Sequence, residues 1–305
     1  MQQTNKKKSL PCRLLRIVFW VIGGLFLFAL VAVQAMPIFF SKYDDPARLG
    51  AKINFTITNG FTIRWAESDV SATNRLTIVF VHGSPGGAGI WATQFRDPHT
   101  NATLIAYDRP GYGESKPSRV HPHLQEQADG LMAFLPYATT NRVLLVGHSY
   151  GSPIALLAAL EHPDKISGVL LIGGDVDPAE EKLWRAEYIF GWRLTSWMLP
   201  HSLRQCSREM LTVKADLEQM QKMLPRLAVP VVMLHGDQDE LVPVQNVDWL
   251  EKQLAVEGKT NLFAKIILPG VNHFIPWEHP EAVERAIGVL NSMTTNQSAA
   301  HLAGH

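Results

Sequence analysis

The sequence predicts an α/β fold with a mostly parallel sheet and helices on both faces. Short apolar runs rich in β-branched residues alternate with helix-compatible stretches along most of the chain. Such continuous apolarity is typical of parallel strands that are buried on both faces and joined by crossover helices. A hairpin pattern precedes these runs, and one long helical interval interrupts them. The 305 residues suit one large domain or a domain with an insertion.

Composition excludes several classes of function. The formal net charge is +0, which argues against nucleic acid as the main partner, because phosphate binding usually requires a basic patch. The sequence contains only two cysteines, Cys12 and Cys206, so a disulfide framework does not hold the fold together. No CxxC motif or Cys/His cluster indicates zinc, and we expect no metal or organic cofactor. The expected partner is a small-molecule substrate.

The N-terminus predicts a membrane or export segment. Basic residues within 1–16 precede an uncharged apolar run over 17–33. We interpret 1–16 as a cytoplasmic segment and 17–35 as a transmembrane signal-anchor, which would leave the catalytic domain on the periplasmic or extracellular side. A cleaved signal peptide is the alternative, since Val33-Gln34-Ala35 offers small residues at a suitable place. Residues 36–50 are predicted to be a linker.

The main domain is predicted over 51–292 and opens with a hairpin. Asn59-Gly60 separates two alternating runs, 53–58 and 61–65, and both turn residues tolerate positive φ. The six apolar runs that follow are predicted to be buried strands: Leu76–Val81, Thr103–Tyr107, Val143–Val146, Ile166–Ile172, Val231–Leu234 and Phe263–Leu268. Helices are predicted over Pro153–Glu161 and Val244–Ala255 among others, and a polar, flexible tail over 293–305.

One interval, about 175–229, contains no convincing strand and is predicted to be an inserted helical cap. It is rich in aromatic residues and methionine, and most of these side chains are expected to pack the cap onto the main domain. Trp184 and Tyr188 are weak candidates for contact with a substrate, because binding pockets are lined largely by apolar side chains.

The run Gly147-His148-Ser149-Tyr150-Gly151 is a nucleophile elbow, because a predicted strand precedes it and a predicted helix follows it. The elbow presents Ser149 as the nucleophile of a serine hydrolase. A serine hydroxyl needs a base and a group that orients the base, and on this scaffold the order along the chain is serine, acid, histidine.

His273, which follows the last predicted strand, is the predicted base. Asp239 is the predicted orienting acid, since it lies in a loop after the strand 231–234. Asp237 and Glu240 are lesser candidates and Asp175 is a distant one. The other histidines near glycine-containing loops, His82, His148 and His235, are expected to brace those loops.

The predicted oxyanion hole consists of two backbone amides. Tyr150 follows the nucleophile and supplies one of them. The loop His82-Gly83-Ser84-Pro85-Gly86-Gly87 directly follows a predicted strand, and its glycines allow close approach to a carbonyl group. We assign the second donor to the amide of Ser84.

With these motifs in order, the chain resembles the α/β-hydrolase superfamily over about 53–290. The landmarks are the loop 82–86, the run Asp108-Arg109-Pro110-Gly111-Tyr112-Gly113-Glu114-Ser115, the elbow, the run 235–239 and His273. The resemblance implies an α/β-hydrolase fold with an eight-stranded, mostly parallel sheet and a cap after the sixth strand. It also implies that the run 108–115 orders a loop rather than performing catalysis. Epoxide hydrolases and haloalkane dehalogenases of this superfamily have Asp at the elbow, where this chain has Ser149.

The leading hypothesis is hydrolysis of a small to medium apolar carboxylic ester through an acyl-enzyme. One alternative is an aminopeptidase similar to prolyl iminopeptidases, whose His-Gly-x-Pro-Gly loop looks like 82–86. Glu180, Glu181 and Glu187 in the cap could then bind the free amine of its substrate. A carbon–carbon bond hydrolase is a third possibility. A membrane-tethered binding protein with a vestigial site is the fourth, and the presence of all three triad residues disfavours it.

Overall fold

A computed structural model describes residues 17–25, 27–28, 31–32, 45–68, 76–96, 102–138, 142–180 and 199–303. The described residues between 17 and 32 are helical, and their large apolar side chains are exposed, with Phe19, Trp20 and Phe28 at 70% or more. Among all the described residues, no helix has both the length and the apolarity needed to cross a membrane. Part of the predicted transmembrane signal-anchor, 17–35, lies outside the described residues. The basic segment 1–16 lies outside them.

Within the described ranges, eight strands form a single sheet in the order β1-β2-β4-β3-β5-β6-β7-β8. The first two strands form the predicted hairpin, and β2 also pairs antiparallel with β4, while all other neighbours are parallel. The prediction of an eight-stranded, mostly parallel sheet is confirmed. The strands are β1 (Lys52–Thr58), β2 (Phe61–Glu67), β3 (Leu76–Val81), β4 (Thr103–Tyr107), β5 (Arg142–His148), β6 (Ile166–Ile172), β7 (Val231–Gly236) and β8 (Phe263–Leu268).

Helices cover both faces of the sheet, as the sequence predicts. Successive strand residues point to opposite faces, so that Val79 and Leu145 join one core cluster, while Phe80 and Leu144 join the other. The first cluster lies under α2, α3 and α5, and the second lies under α1 and α7. The helices are α1 (Ala92–Arg96), α2 (Leu124–Ala138), α3 (Gly151–Glu161), α4 (His201–Gln221), α5 (Gln245–Val256), α6 (Ile275–Glu278) and α7 (Pro280–Ala303).

Two of the parallel strands extend at their carboxyl ends beyond the predicted apolar runs. β5 continues to His148 and β7 to Gly236, two residues past the ends of their apolar runs. In both cases the ladder pairing continues beyond the apolar residues, with His148 opposite Ile172 and Gly236 opposite Leu268. These extensions bring motif residues to the carboxyl edge of the sheet, where open α/β sheets bind their ligands.

The C-terminal prediction needs correction. In place of a flexible tail over 293–305, helix α7 continues as far as Ala303. Its apolar face packs on the sheet through Val283, Ile287 and Leu290. The helix then carries on through the polar residues that follow, because nothing in that stretch, such as proline or glycine, interrupts it.

The insertion between β6 and β7, for which the sequence predicts a helical cap over about 175–229, contains helix α4 among its described residues. This helix is buried along positions spaced by four: Gln205, Glu209, Val213 and Leu217. Its apolar members join the core cluster beneath α2 and α3. The cap is therefore attached to the main domain by both apolar and polar side chains.

Candidate active site

Ser149 lies on a tight turn between the end of β5 and the start of α3. Its φ of 53° lies in the left-handed region, which residues other than glycine adopt at a cost. The Ser149 amide donates a hydrogen bond to the Ile172 carbonyl at 2.9 Å, so the neighbouring strand β6 holds the turn in place. Strand, turn and helix are all present around Ser149, as the elbow motif predicts.

Two glycines make this turn sterically possible. A Cβ on Gly147 would lie 2.4 Å from the Gly151 carbonyl oxygen, and a Cβ on Gly151 would lie 2.3 Å from the Val81 carbonyl oxygen. Both distances are far below van der Waals contact, and the opposing atoms belong to the backbone, which cannot move aside. Glycine at both positions lets β3, β5 and α3 approach one another closely around the serine.

Asp239 and His273 form a short hydrogen bond at the carboxyl edge of the sheet. His273 Nδ1 donates to Asp239 Oδ2 at 2.6 Å, and both residues are buried. The other carboxylate oxygen, Oδ1, accepts from the amides of Leu241 at 3.0 Å and Val242 at 2.8 Å. Burial alone would raise the pKa of Asp239, but the hydrogen bond and charge of His273 lower it below its usual value. Asp239 is therefore an ionised group that fixes the orientation of the imidazole.

The other candidate acids lie in different environments. Asp237 is exposed and accepts a hydrogen bond from the Gly270 amide at 2.7 Å, which makes it part of a turn. Glu240 is exposed and Asp175 is buried, and both line the cavity that also contains Ser149 and His273. The structure thus places Asp239, among these four acids, in hydrogen-bond contact with His273.

The loop after β3, residues 82–87, is termed the oxyanion loop for its predicted role, and it approaches Ser149 closely. A Cβ on Gly83 would lie 3.0 Å from the Ser149 Cβ and 3.1 Å from the His148 carbonyl oxygen. Gly83, Ser84 and Tyr150 line the same cavity as Ser149. The two residues predicted to supply oxyanion amides therefore flank the serine in space, although they are separated by 66 positions in the sequence.

The run 108–115 orders this loop, as the resemblance implies. Asp108 Oδ1 accepts from the Ala88 amide at 2.9 Å, and Oδ2 accepts from the Glu114 amide at 3.1 Å. The Ser115 hydroxyl donates to the Asp108 carbonyl at 2.6 Å and accepts from the Arg64 amide at 3.0 Å. One carboxylate thereby links the segment beyond the oxyanion loop to the turn after β4.

Three buried histidines near the site form side-chain hydrogen bonds to backbone carbonyl groups. His82 Nδ1 donates to the Gly83 carbonyl at 2.8 Å, and His82 Nε2 accepts from an amide, so the ring is neutral. His148 Nε2 donates to the His273 carbonyl at 3.1 Å, and His235 Nε2 donates to the Val242 carbonyl at 3.0 Å. Burial lowers the pKa of all three, and together with the neighbouring His273 it lowers the pKa of His148 to about 3.

The cavity around Ser149 has a volume of about 790 Å³ and a largely apolar wall. A second cavity of about 860 Å³ adjoins it and shares four lining residues with it. Met210 of helix α4 contributes to the first cavity, so the cap forms part of its wall. Trp184 and Tyr188, the candidate substrate contacts, lie outside the described residues. The apolar side chains that line the first cavity include Ile90, Met210, Leu241, Phe274 and Trp277.

Sequence reasoning missed the residues beneath the oxyanion loop. Arg109 and Glu209 form an ion pair, with 2.7 Å between Nη1 and Oε1, and both side chains are completely buried. A signal for Glu209 does exist in the sequence: it occupies a position on the stripe 205, 209, 213 and 217 that faces the main domain. A charged residue on a buried stripe requires a partner, although the sequence does not say which one.

A comparison with known proteins agrees with this architecture. The model of the alpha/beta hydrolase family matches residues 78–286, which is more than half of the chain. The chain belongs to the alpha/beta hydrolase family. A stretch of 120 residues is 28% identical to the 1-acylglycerol-3-phosphate O-acyltransferase ABHD5 of Sus scrofa, and it covers 38% of this chain and 34% of that protein. The match thus spans about a third of the relative's own length.

Solved structures of hydrolases share the fold of this family member. A bacterial membrane phospholipase A superposes with a TM-score of 0.63 at 20% identity, and the match covers 92% of this chain and 97% of that one. The haloalkane dehalogenase DatA of Agrobacterium tumefaciens C58 superposes with a TM-score of 0.61 at 21% identity, covering 80% and 97%. At these identities the likeness concerns the fold.

The Asp239–His273 contact predicts a specific loss of activity. We expect Asp239→Asn to lower kcat for p-nitrophenyl ester hydrolysis by about 10²- to 10⁴-fold, because the amide neither orients the imidazole correctly nor stabilises its charge. Asp237→Asn, in the same loop but exposed, should leave kcat little changed. Steady-state kinetics of the two variants measure this. Equal kcat values for them would contradict the role of Asp239.

Buried neutral histidines predict sensitivity to acid. The pKa of His148 is about 3 in the native state and about 6.5 in an unfolded chain, so between these values the unfolded state binds more protons. The stabilisation is complete above about pH 6.5 and is lost as the pH falls toward 3, by ~1.4 kcal/mol per pH unit for such a group. His148→Gln keeps a donor for the His273 carbonyl but cannot titrate. Urea unfolding across pH should show a shallower slope for this variant, and an unchanged slope would refute the explanation.

Proposed function

We propose that this member of the alpha/beta hydrolase family hydrolyses carboxylic esters through an acyl-enzyme on Ser149. The observation that carries the proposal is that Ser149, on a strained elbow, lines one cavity together with His273, whose Nδ1 is already bonded to Asp239. Nucleophile, base and orienting acid are the three groups that serine-dependent acyl transfer requires.

The proposed reaction has two stages, acylation of Ser149 and hydrolysis of the acyl-enzyme. Ser149 Oγ attacks the carbonyl carbon while His273 Nε2 takes its proton, and Asp239 stabilises the imidazolium that forms. The tetrahedral intermediate collapses, the bond to the alcohol breaks, and the alcohol leaves with the proton from His273. Water then attacks the acyl-enzyme, gives one proton to His273, and releases the carboxylic acid as that proton returns to Ser149.

Backbone dipoles stabilise the negative oxygen of each intermediate. The amides of Ser84 and Tyr150 are the proposed donors, because both residues line the cavity beside Ser149. Helix α3 begins at Gly151, so its positive N-terminal end lies at the same place. Loss of one such donor typically costs ~10²–10³ in kcat.

The cavity walls support an ester with a small to medium apolar group. Ile90, Met210, Phe274 and Trp277 offer apolar surface near the serine. Because the second cavity shares Ile90, Phe274 and Trp277 with the first, it offers further room in the same direction. The phospholipase A likeness concerns the fold alone, so the proposal of an ester depends on the site residues of this chain.

One observation favours a second candidate, an aminopeptidase. Asp175, Glu180 and Glu240 line the cavity, and carboxylates could bind the free amine of a peptide substrate. The same Ser149 chemistry would then cleave an amide. Haloalkane dehalogenation is not a candidate, because the resemblance assigns an Asp nucleophile to that chemistry and this elbow carries Ser149.

A probe and two substrates test the proposed function. A fluorophosphonate should label the wild-type protein and not Ser149→Ala, since labelling requires the activated hydroxyl. The wild-type protein should hydrolyse short p-nitrophenyl esters faster than a prolyl-naphthylamide. Failure to label would remove the serine hydrolase, and robust amide turnover with negligible ester turnover would replace the esterase with the aminopeptidase.

We further propose that the segment 17–35 exports the hydrolase domain, either as an uncleaved anchor or as a cleaved signal peptide. The support is the pattern of basic residues followed by an uncharged apolar run. We expect external protease to reach the domain in intact cells. N-terminal sequencing separates the two forms, because a mature start at Met36 indicates cleavage. A full-length chain in the cytoplasmic fraction would refute export.

A further inference from the structure

The Glu209 carboxylate accepts hydrogen bonds from its own helix, from the run 108–115 and from the loop 82–87. It lies on cap helix α4 and is completely buried. Its Oε1 accepts from Arg109 Nη1 at 2.7 Å and from Gln205 Nε2 at 3.0 Å. Its Oε2 accepts from the Tyr112 hydroxyl at 2.8 Å and from the Ser84 hydroxyl at 2.5 Å. Each carboxylate oxygen of Glu209 therefore accepts hydrogen bonds from at least two side chains.

Arg109 extends these contacts to the backbone of the oxyanion loop. Its Nη2 donates to the Gly83 carbonyl at 3.0 Å, and its amide donates to His82 Nε2 at 3.0 Å. Its guanidinium carbon lies 5.2 Å from the centre of the Tyr150 ring, within the range of a cation–π contact. Although burial opposes its charge, Glu209 raises the pKa of Arg109, so the guanidinium remains charged.

Both proposed oxyanion donors therefore contact the same ion pair. Ser84 is held by its side chain on Glu209, the preceding carbonyl is held by Arg109, and the Tyr150 ring packs against the guanidinium. A backbone amide can stabilise an oxyanion only if its direction is fixed before the reaction, because reorganisation at that moment costs free energy. The ion pair fixes the loop on both sides of the Ser84 amide.

The energetics of burial favour a role beyond stability. Removing two charges from water is expensive, and a buried ion pair stabilises a fold little more than apolar side chains of similar volume would. Apolar residues would attach the cap equally well, as Val213 and Leu217 do one and two turns further along α4. Apolar residues could not hold the Ser84 hydroxyl or the Gly83 carbonyl in place.

We propose that Glu209, acting through Arg109 and Ser84, is a positioning residue that sets the geometry of the oxyanion hole from the cap. The cavity-lining residue Met210 and the positioning residue Glu209 are neighbours on α4, so one helix joins the cavity wall to the oxyanion loop. This inference rests on the proposed function of Ser149 and adds a residue to it.

Glu209→Gln keeps the shape of the side chain and removes its charge. We expect kcat for ester hydrolysis to fall at least about tenfold, short of the ~10²–10³-fold cost of losing a whole donor, while KM changes less than about threefold. Glu218→Gln, exposed on the same helix, is the matched control and should keep wild-type kinetics. A rise in KM with an unchanged kcat in E209Q would overturn the proposal.

A double variant separates positioning from stability. Glu209→Leu alone leaves Arg109 buried and unpaired, so Tm should fall by roughly 10 °C. Adding Arg109→Met removes the unpaired charge, and Tm should recover because apolar residues can replace a buried pair. If Glu209 positions the loop, kcat stays low in the stable double variant. Recovery of kcat together with Tm would show that the pair is only structural.

The rate of fluorophosphonate labelling provides a readout that needs no known substrate. The reagent's P=O oxygen occupies the oxyanion hole, so E209Q should label Ser149 at least about tenfold more slowly than the wild type and E218Q. Equal labelling rates would overturn the proposal. A wild type that labels but turns over no ester would refute the esterase, and the labelling rates of the variants would still decide the role of Glu209.

Discussion

The left-handed backbone at Ser149 is the constraint on which the rest of the site depends. A serine at φ 53° persists only if surrounding contacts hold it there, and here β3, β5 and α3 approach so closely that only glycine fits at 147 and 151. The parallel sheet brings the other groups to the same edge, because His273, Asp239 and the oxyanion loop each follow the carboxyl end of a strand. The position of Ser149 on this strained turn therefore sets the place that His273 and the oxyanion loop have to reach.

Buried polar groups beneath that turn are arranged so that each has a fixed orientation. The three bracing histidines are neutral donors to backbone carbonyls, and Asp108 accepts from two amides of separate segments. Below them the Arg109–Glu209 pair buries two full charges under the loop. Buried polar groups of this kind specify one arrangement, since any displacement leaves a donor or acceptor unsatisfied.

Much of this could be read from local patterns. The hairpin follows from Asn59-Gly60, the elbow from five consecutive residues, and the candidate acids and the candidate base from their order after buried runs. The carboxyl ends of β5 and β7 could not be read from the sequence, because ladder hydrogen bonds continue past the last apolar residue of each run. The continuation of α7 through the polar residues after 292 was also missed, since a polar composition suits both a solvated helix and a flexible tail.

The sequence by itself determined the family-level fold, the identity of Ser149 as the elbow residue, and the order of Asp239 and His273 along the chain. These depend on short-range patterns, in which residues a few positions apart share one strand, turn or helix. Tertiary structure alone decided which acid meets His273 and that Glu209 of the cap lies under Ser84, 125 positions away. Such pairings depend on how the cap packs on the sheet, and packing of distant segments leaves no local signal beyond one charged residue on a buried stripe.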